Sequence, residues 1–531
     1  MPSTISCAKL ADLFDGNTPF ALIDVREAGE YNSSHIPGSS LISRRDLEFL
    51  MADSVPFLGT QVVVCDDDGR RAELAADTLA QIGYTNVSAL EGGMNRWVTE
   101  RRPTEWGVNV PSKDFGEKVQ VQHGVPEIDA VELKSRMDSG EKMIILDTRT
   151  PEEFRRFCIP GGRSVPNGEL GLRITDIVEQ TDDDTTVVIN CAGRTRSIIG
   201  TRLLQRMGVQ NVIGLENGTA GWELAGYELE TGAGADRAIL PQPTEAGRAS
   251  AEEFADRLAE QDGVRYIDVS TLREIAARSD GESVYLIDVR TEQEYNAGHI
   301  PGFRWFPGGQ AVQRSDEVAV VHNAPVVFCC DGRTRAALTA SWYRQMGFDE
   351  VYALHGGTAA WTQAGNSLES GSPDSEPLGL AEALDRVRAL SPDETQRSSD
   401  ATLIHVGLSS EFAQGHVPKA SWVPRGWLEL RIEDVAPDKS VPIIVTCSGS
   451  DSRQAVFAAA ILLDLGYTDV SALDGGMSAW QESGRAVEKG LTGVMYTPSD
   501  MVASGPDRNF ADKINYLRWE EELGHKYAPI S

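Results

Sequence analysis

Four times in 531 residues this chain closes a segment in nearly the same words: NVSALEGGMNRW at Trp97, NVIGLENGTAGW at Trp222, EVYALHGGTAAW at Trp361 and DVSALDGGMSAW at Trp480. A matching opening phrase precedes each one: LIDVREAGEYNSSHIPGS, ILDTRTPEEFRRFCIPGG, LIDVRTEQEYNAGHIPGF and, more loosely, LIHVGLSSEFAQGHVPKA. The interval from the acid of the opening phrase to the closing tryptophan is the same in the first and third copies, Asp24 to Trp97 and Asp288 to Trp361. A repeat of this length admits only folds made of four copies of one unit. Length alone, at roughly 150 residues per domain, points to three or four domains.

Between its two markers each copy carries an apolar run (QVVVC, TVVINC, PVVFCC, PIIVTC), a polar loop, and a stretch of helical apolar spacing that stops near Gly83, Gly208, Gly347 or Gly466. Short buried strands alternating with helices predict an α/β fold, here four tandem doubly wound domains, each with a mainly parallel central sheet flanked by helices. Gly-, Pro-, Ser- and Asp-rich stretches then bound the domains at 1–107, 123–232, 250–367 and 377–489. A tail, 490–531, shows one short helical pattern and no motif that points to chemistry.

Composition excludes several classes of function. Eighty acidic residues against 49 basic ones give a formal charge of −31, which opposes a nucleic acid or an anionic membrane as partner. No run approaches about 18 apolar residues and the first residues lack a secretory pattern, so the expected location is cytoplasmic. Seven cysteines form no CxxC pair and eight histidines do not cluster, so neither a disulfide framework nor a metal site is expected. Individually reactive thiols remain.

The second copy shows where such a thiol sits, in NCAGRTRSIIG. Cys191 falls between the end of a strand and the start of a helix, where unpaired backbone N–H groups and the positive end of the helix dipole favour a thiolate. Arg194 and Arg196 add cationic charge and bidentate donors for an incoming anion. Together with the DVR…EY…GHIPG opening and the terminal GG…W, this strand, Cys loop and helix make the chain resemble a tandem of four rhodanese (sulfurtransferase) domains. The resemblance implies a persulfide mechanism. A cysteine takes a sulfane sulfur from thiosulfate or a persulfide donor and passes it to cyanide, a thiol or a protein acceptor. No metal or organic cofactor is needed beyond the covalent cysteine persulfide.

The four loops differ. Unit two has the Cys-x4-Arg spacing of the sulfurtransferase loop, with Cys191 as nucleophile and Arg194 and Arg196 as anion binders. Unit three keeps that spacing with Cys330, Arg333 and Arg335, and is expected to be active but weakened by Asp331. Unit one places Asp66 where Cys191 stands, with Asp67 and Asp68 after it, and is expected to be dead; its Cys65 falls beside Cys329, which is read as core packing. Unit four reads Cys447 to Arg453 with the longer Cys-x5-Arg spacing that related phosphatases use, but has HVG in place of Asp-x-Arg. It is read as a degenerate copy, with a phosphatase-like or arsenate-reductase-like site as the alternative.

For the Asp-x-Arg pairs the resemblance gives the acid a structural part and leaves Arg149 and Arg290 open between packing and a wall of the anion site. His35, His299 and His416 are read as turn residues rather than general bases, and Cys158 as packing rather than a resolving thiol. Two dead loops out of four also keep open a non-catalytic scaffold or sulfur sensor.

Overall fold

The protein is described from a computed structural model, in which residues 3–240, 242–372, 375–503 and 505–528 are placed. Pro373 and Asp374 of the third linker and residues 529–531 of the tail lie outside the described residues.

The Val- and Ile-rich runs form the inner strands Gln61–Cys65, Thr186–Asn190, Val326–Cys329 and Ile443–Thr446, buried on both faces. Such uninterrupted apolar runs suit a parallel sheet covered on both sides. In the second repeat the order is Glu127–Ile128, Val212–Leu215, Thr186–Asn190, Met143–Asp147 and Arg163–Ser164, with every pairing parallel. The third and fourth repeats follow the same plan. The first repeat gains a sixth, antiparallel strand, Val321–His322, on Phe20–Asp24, where the His322 ring stacks on Phe20 with centroids 4.7 Å apart. Four helix-flanked parallel sheets are thus present, as the repeats predict.

By contact the repeats divide into two compact units. One gathers Met1–Val108, Val320–His322 and Asp374–Val502; the other gathers Asn109–Ala319, Asn323–Pro373 and Ala503–Ser531. In the first unit, repeats one and four exchange ion pairs: Arg44 meets Glu429 at 2.6 Å, and Arg425 meets Glu48. In the second unit, the backbone of Gly168 in repeat two lies against Gly308 and Gly309 of repeat three with no room for a side chain.

Three helices in the second unit add to the sequence reading, two beginning in stretches read as linkers and one where the tail showed a helical pattern. Val110–His123 forms where a linker was expected, with Pro111 in its first turn, where a missing N–H costs nothing. Its buried face includes Ser112, Lys113 and Glu117, so apolar periodicity could not reveal it. Gly116, unfavourable within a helix, lets this helix approach Thr195, whose Cα would lie 3.1 Å from a Cβ there. Glu245–Asp262 packs between helices Asn167–Val178 and Thr334–Met346. In the tail, Phe510–Gly524 packs on Val110–His123. Among the described residues no helix is long and apolar enough to cross a membrane.

Candidate active site

Strand register fixes the site. Asp147 pairs with Asn190, so Cys191 is the first residue beyond the strand, next to the turn that carries Arg149. The same register sets Asp24 beside Cys65, Asp288 beside Cys329 and His405 beside Thr446, which puts Asp66, Cys330 and Cys447 in the place of Cys191. The closing motif holds this residue. Its carbonyl accepts the N–H of Met94, Thr219, Thr358 or Met477, at 2.8 to 3.0 Å. A Cβ on Gly218 or Gly357 would strike the Cys191 or Cys330 carbonyl oxygen, and both glycines have a left-handed φ, +51° and +52°. Trp222, at the end of the motif, is buried, and its indole N–H donates to the Glu228 carbonyl at 3.0 Å.

In repeat two the Cys191 thiol is 2% exposed and donates to Ser197 Oγ at 3.5 Å, while the Ser197 hydroxyl donates to the Arg194 carbonyl at 2.8 Å. Burial pushes the thiol up; the Arg196 charge, Ser197 and the Gly193 N–H pull the other way without overcoming it. The lowered thiol expected from the cradle is therefore not a property of the resting site. Arg196 is clamped by Glu153 in a bidentate pair, 2.8 and 3.0 Å. Burial alone would raise Glu153, but this arginine overrides it and holds the carboxyl at about 2. Sequence reasoning passed over the glutamate, although Glu30, Glu153, Glu294 and Glu411 recur in every opening phrase.

Arg149 is fully buried, its Nε and Nη2 donating to Asp147 and its Nη2 also to the Phe157 carbonyl. Its Nη1 is buried with no hydrogen-bond partner among the described residues. In repeat one the same atom, Arg26 Nη1, donates at 3.0 Å to Asp67, whose position in repeat two is occupied by Ala192. Arg290 likewise grips Asp288 and the Gly298 carbonyl.

Two predicted anion binders are used otherwise. Arg194 turns away to Glu117 at 2.6 and 3.1 Å, with Glu521 at 3.6 Å. Arg333 pairs with Glu252 and Asp256 at 3.2 and 3.3 Å. Both therefore anchor covering helices, an outcome that the loop sequence alone could not show because the acids lie far along the chain. The tail helix completes the cover of repeat two: a Cβ on Gly193 would lie 3.0 Å from Glu520 Oε2 and 3.7 Å from Leu517.

In repeat three Cys330 is 1% exposed and pushed up to about 11 by burial and by Asp331. Arg335 is gripped by Glu294, Asp331 and Glu169, each at 2.7 Å. Repeat one has no thiol at this position: the Asp66 carboxylate occupies the cradle and accepts the N–H of Gly69 at 2.6 Å and of Arg71 at 2.9 Å. Cys65 and Cys329 are core residues.

In repeat four the Cys447 thiol donates to the Asp451 carbonyl at 3.2 Å and is pushed up to about 11, chiefly by burial. The Arg453 guanidinium bonds Asp451 at 2.6 to 2.9 Å and sits partly exposed, so the spacing that suggested an anion site does not bring that charge to the sulfur. His405, in place of the acid, is lowered to about 3 by burial.

His35, His299 and His416 stack on Tyr31, Tyr295 and Phe412 in their turns. Cys158 packs with Phe154 and Ala233 and is pushed up to about 11 by burial.

A family profile described as the rhodanese-like domain matches residues 6–100, 129–225, 271–364 and 390–483. The chain belongs to the rhodanese family. It is similar to a sulfurtransferase of Allochromatium vinosum, 30% identical over 105 residues, which are 20% of this chain and 94% of that one. It is also similar to the uncharacterized protein YqhL of Bacillus subtilis, 36% identical over 93 residues, 18% of this chain and 72% of that one. A solved structure, the thiosulfate sulfurtransferase from Pseudomonas aeruginosa, is 33% identical with a TM-score of 0.89, covering 99% of this chain and 97% of that one. This rhodanese is accordingly an enzyme of the sulfurtransferase type.

Proposed function

We propose that repeat two carries the reaction and that thiosulfate, or a persulfide, is the sulfur donor. The observation that supports this most directly is a difference in unspent donors. The difference lies at Arg196, which gives two of its N–H groups to Glu153 where Arg335 gives four to carboxylates; Arg149 Nη1 is a further donor with no partner among the described residues. A sulfonate group next to the thiol would be met by fixed donors in a dry site.

The Cys191 thiolate attacks the outer sulfur of thiosulfate; the S–S bond of the donor breaks and sulfite leaves with its electron pair. Cys191 then holds a persulfide anion, solvated by the loop N–H groups. An acceptor attacks the outer sulfur and regenerates the thiolate. Cyanide leaves as thiocyanate, and a small thiol or a protein cysteine leaves as a persulfide. Burial raises the resting thiol, and the Arg196 charge, Ser197 and the Gly193 N–H favour the thiolate that reacts. The whole cycle is carried by the cysteine itself.

Mass spectrometry of the full chain after thiosulfate treatment should show one extra sulfur on the Cys191 peptide with sulfite released. Cys191→Ser should lose turnover of thiosulfate and cyanide. Full turnover by that variant would overturn the assignment.

A further inference from the structure

Repeats two and three keep the same thiol, the same spacing and the same clamped arginine, yet their arginines are not equally free. A guanidinium has five N–H donors, four of them on the two terminal nitrogens. In repeat three all four are taken: Arg335 Nη1 donates to Glu169 and Glu294, and Nη2 to Glu294 and Asp331, each at 2.7 Å. The fifth, on Nε, is buried and has no hydrogen-bond partner among the described residues. In repeat two, among the described residues, Arg196 makes only the two bonds to Glu153.

One of the two extra acceptors belongs to the loop itself, Asp331, which is also tied to Arg248 at 2.7 Å. The other comes from a different repeat. Glu169, 4% exposed, stands on helix Asn167–Val178 of repeat two and is steadied by Arg173 at 3.0 and 3.1 Å. The corresponding position in repeat three is Gln310, which carries no charge to return the contact. The contact therefore runs one way.

We propose that Glu169 is a positioning residue that acts across the repeat boundary: by taking the last terminal N–H of Arg335 it withholds that guanidinium from anionic donors and leaves Cys330 a latent site. The inference rests on the sulfur-transfer reading of Cys191. It makes repeat two both the working domain and the element that decides whether repeat three works.

The test maps persulfides on each cysteine of the full chain after thiosulfate treatment. In the native sequence Cys191 should carry the sulfur and Cys330 no more than about a tenth as much. Glu169→Ala should raise the Cys330 signal about tenfold, with Glu169→Gln, which removes charge but keeps an acceptor, between the two. In a Cys191→Ser background the same change should act mainly by lowering KM for thiosulfate. Turnover gained in this way is a readout that loss of folding cannot imitate, because unfolding would expose the Cys330 thiol without supplying an anion site. If Cys191 takes up sulfur while Cys330 stays silent in both variants, the inference falls and the functional reading stands; if neither cysteine takes up sulfur, both fall.

Discussion

At the scale of single residues, the four loops form a natural substitution series at the position after the nucleophile. Asp67 bonds Arg26 at 3.0 Å and Arg71 at 2.9 Å, and Asp331 bonds Arg335 at 2.7 Å; Ala192 can do neither. Ala192→Asp should therefore transplant the muting charge into repeat two. The pH midpoint of Cys191 alkylation should rise by about one unit, a tenfold slower reaction at neutral pH, and KM for thiosulfate should rise with it. An unchanged midpoint would show that this position does not tune the thiol. Much at this scale could be read in the sequence. The thiol positions, the Asp66 replacement and the core place of Cys329 follow from counting along repeats, because strand register preserves such counts. The destinations of Arg194, Arg333 and Arg335 do not, since each is set by a carboxylate from a segment that no local pattern ties to the loop.

At the scale of elements, the closing GG…W motif is more than a turn and a core tryptophan. Its second glycine carries the residue after it against the nucleophile's carbonyl, so the last helix of each repeat aims the loop that precedes it by a strand and a helix. Gly218→Ala should cost at least ~2 kcal/mol from backbone strain and push Cys191 out of line, lowering kcat up to about a hundredfold. Gly226→Ala is the control. Its φ is +84° but a Cβ there meets nothing within 4 Å, so stability should fall by ~1–2 kcal/mol while activity per folded molecule stays normal. Equal activity loss in both would sink the aiming role. Parallel strands and loop helices were legible from periodicity. Val110–His123 was not, because its buried face includes Lys113 and Glu117, and although the tail showed a helical pattern, the docking of Phe510–Gly524 was not legible, because the burial of Glu520 depends on partners distant in the chain.

At the scale of the whole molecule, the buried carboxylates pull stability in two directions with pH. Glu27, Glu127 and Asp316 are raised to about 7, in each case chiefly by burial. The stability they allow is complete below the ordinary carboxylate range and is lost as pH climbs toward 7, where the unfolded chain has already released those protons. Glu153 and Glu294, held at about 2 by Arg196 and Arg335 against the effect of burial, contribute above the ordinary range and fail as pH drops toward 2. The thermal midpoint should accordingly rise from pH 8 to about 5 and fall below about 4; a midpoint that climbs steadily up to pH 8 would show that the ion pairs, not the raised carboxylates, govern the neutral range. Chain order adds one more consequence. Helix Phe510–Gly524 follows the fourth repeat yet walls the loop of the second. At ~5–20 residues per second, a ribosome delivers that wall some tens of seconds after Cys191 has emerged. Throughout translation the Cys191 loop stands without that wall at Gly193, and the site is complete only when the last helix docks.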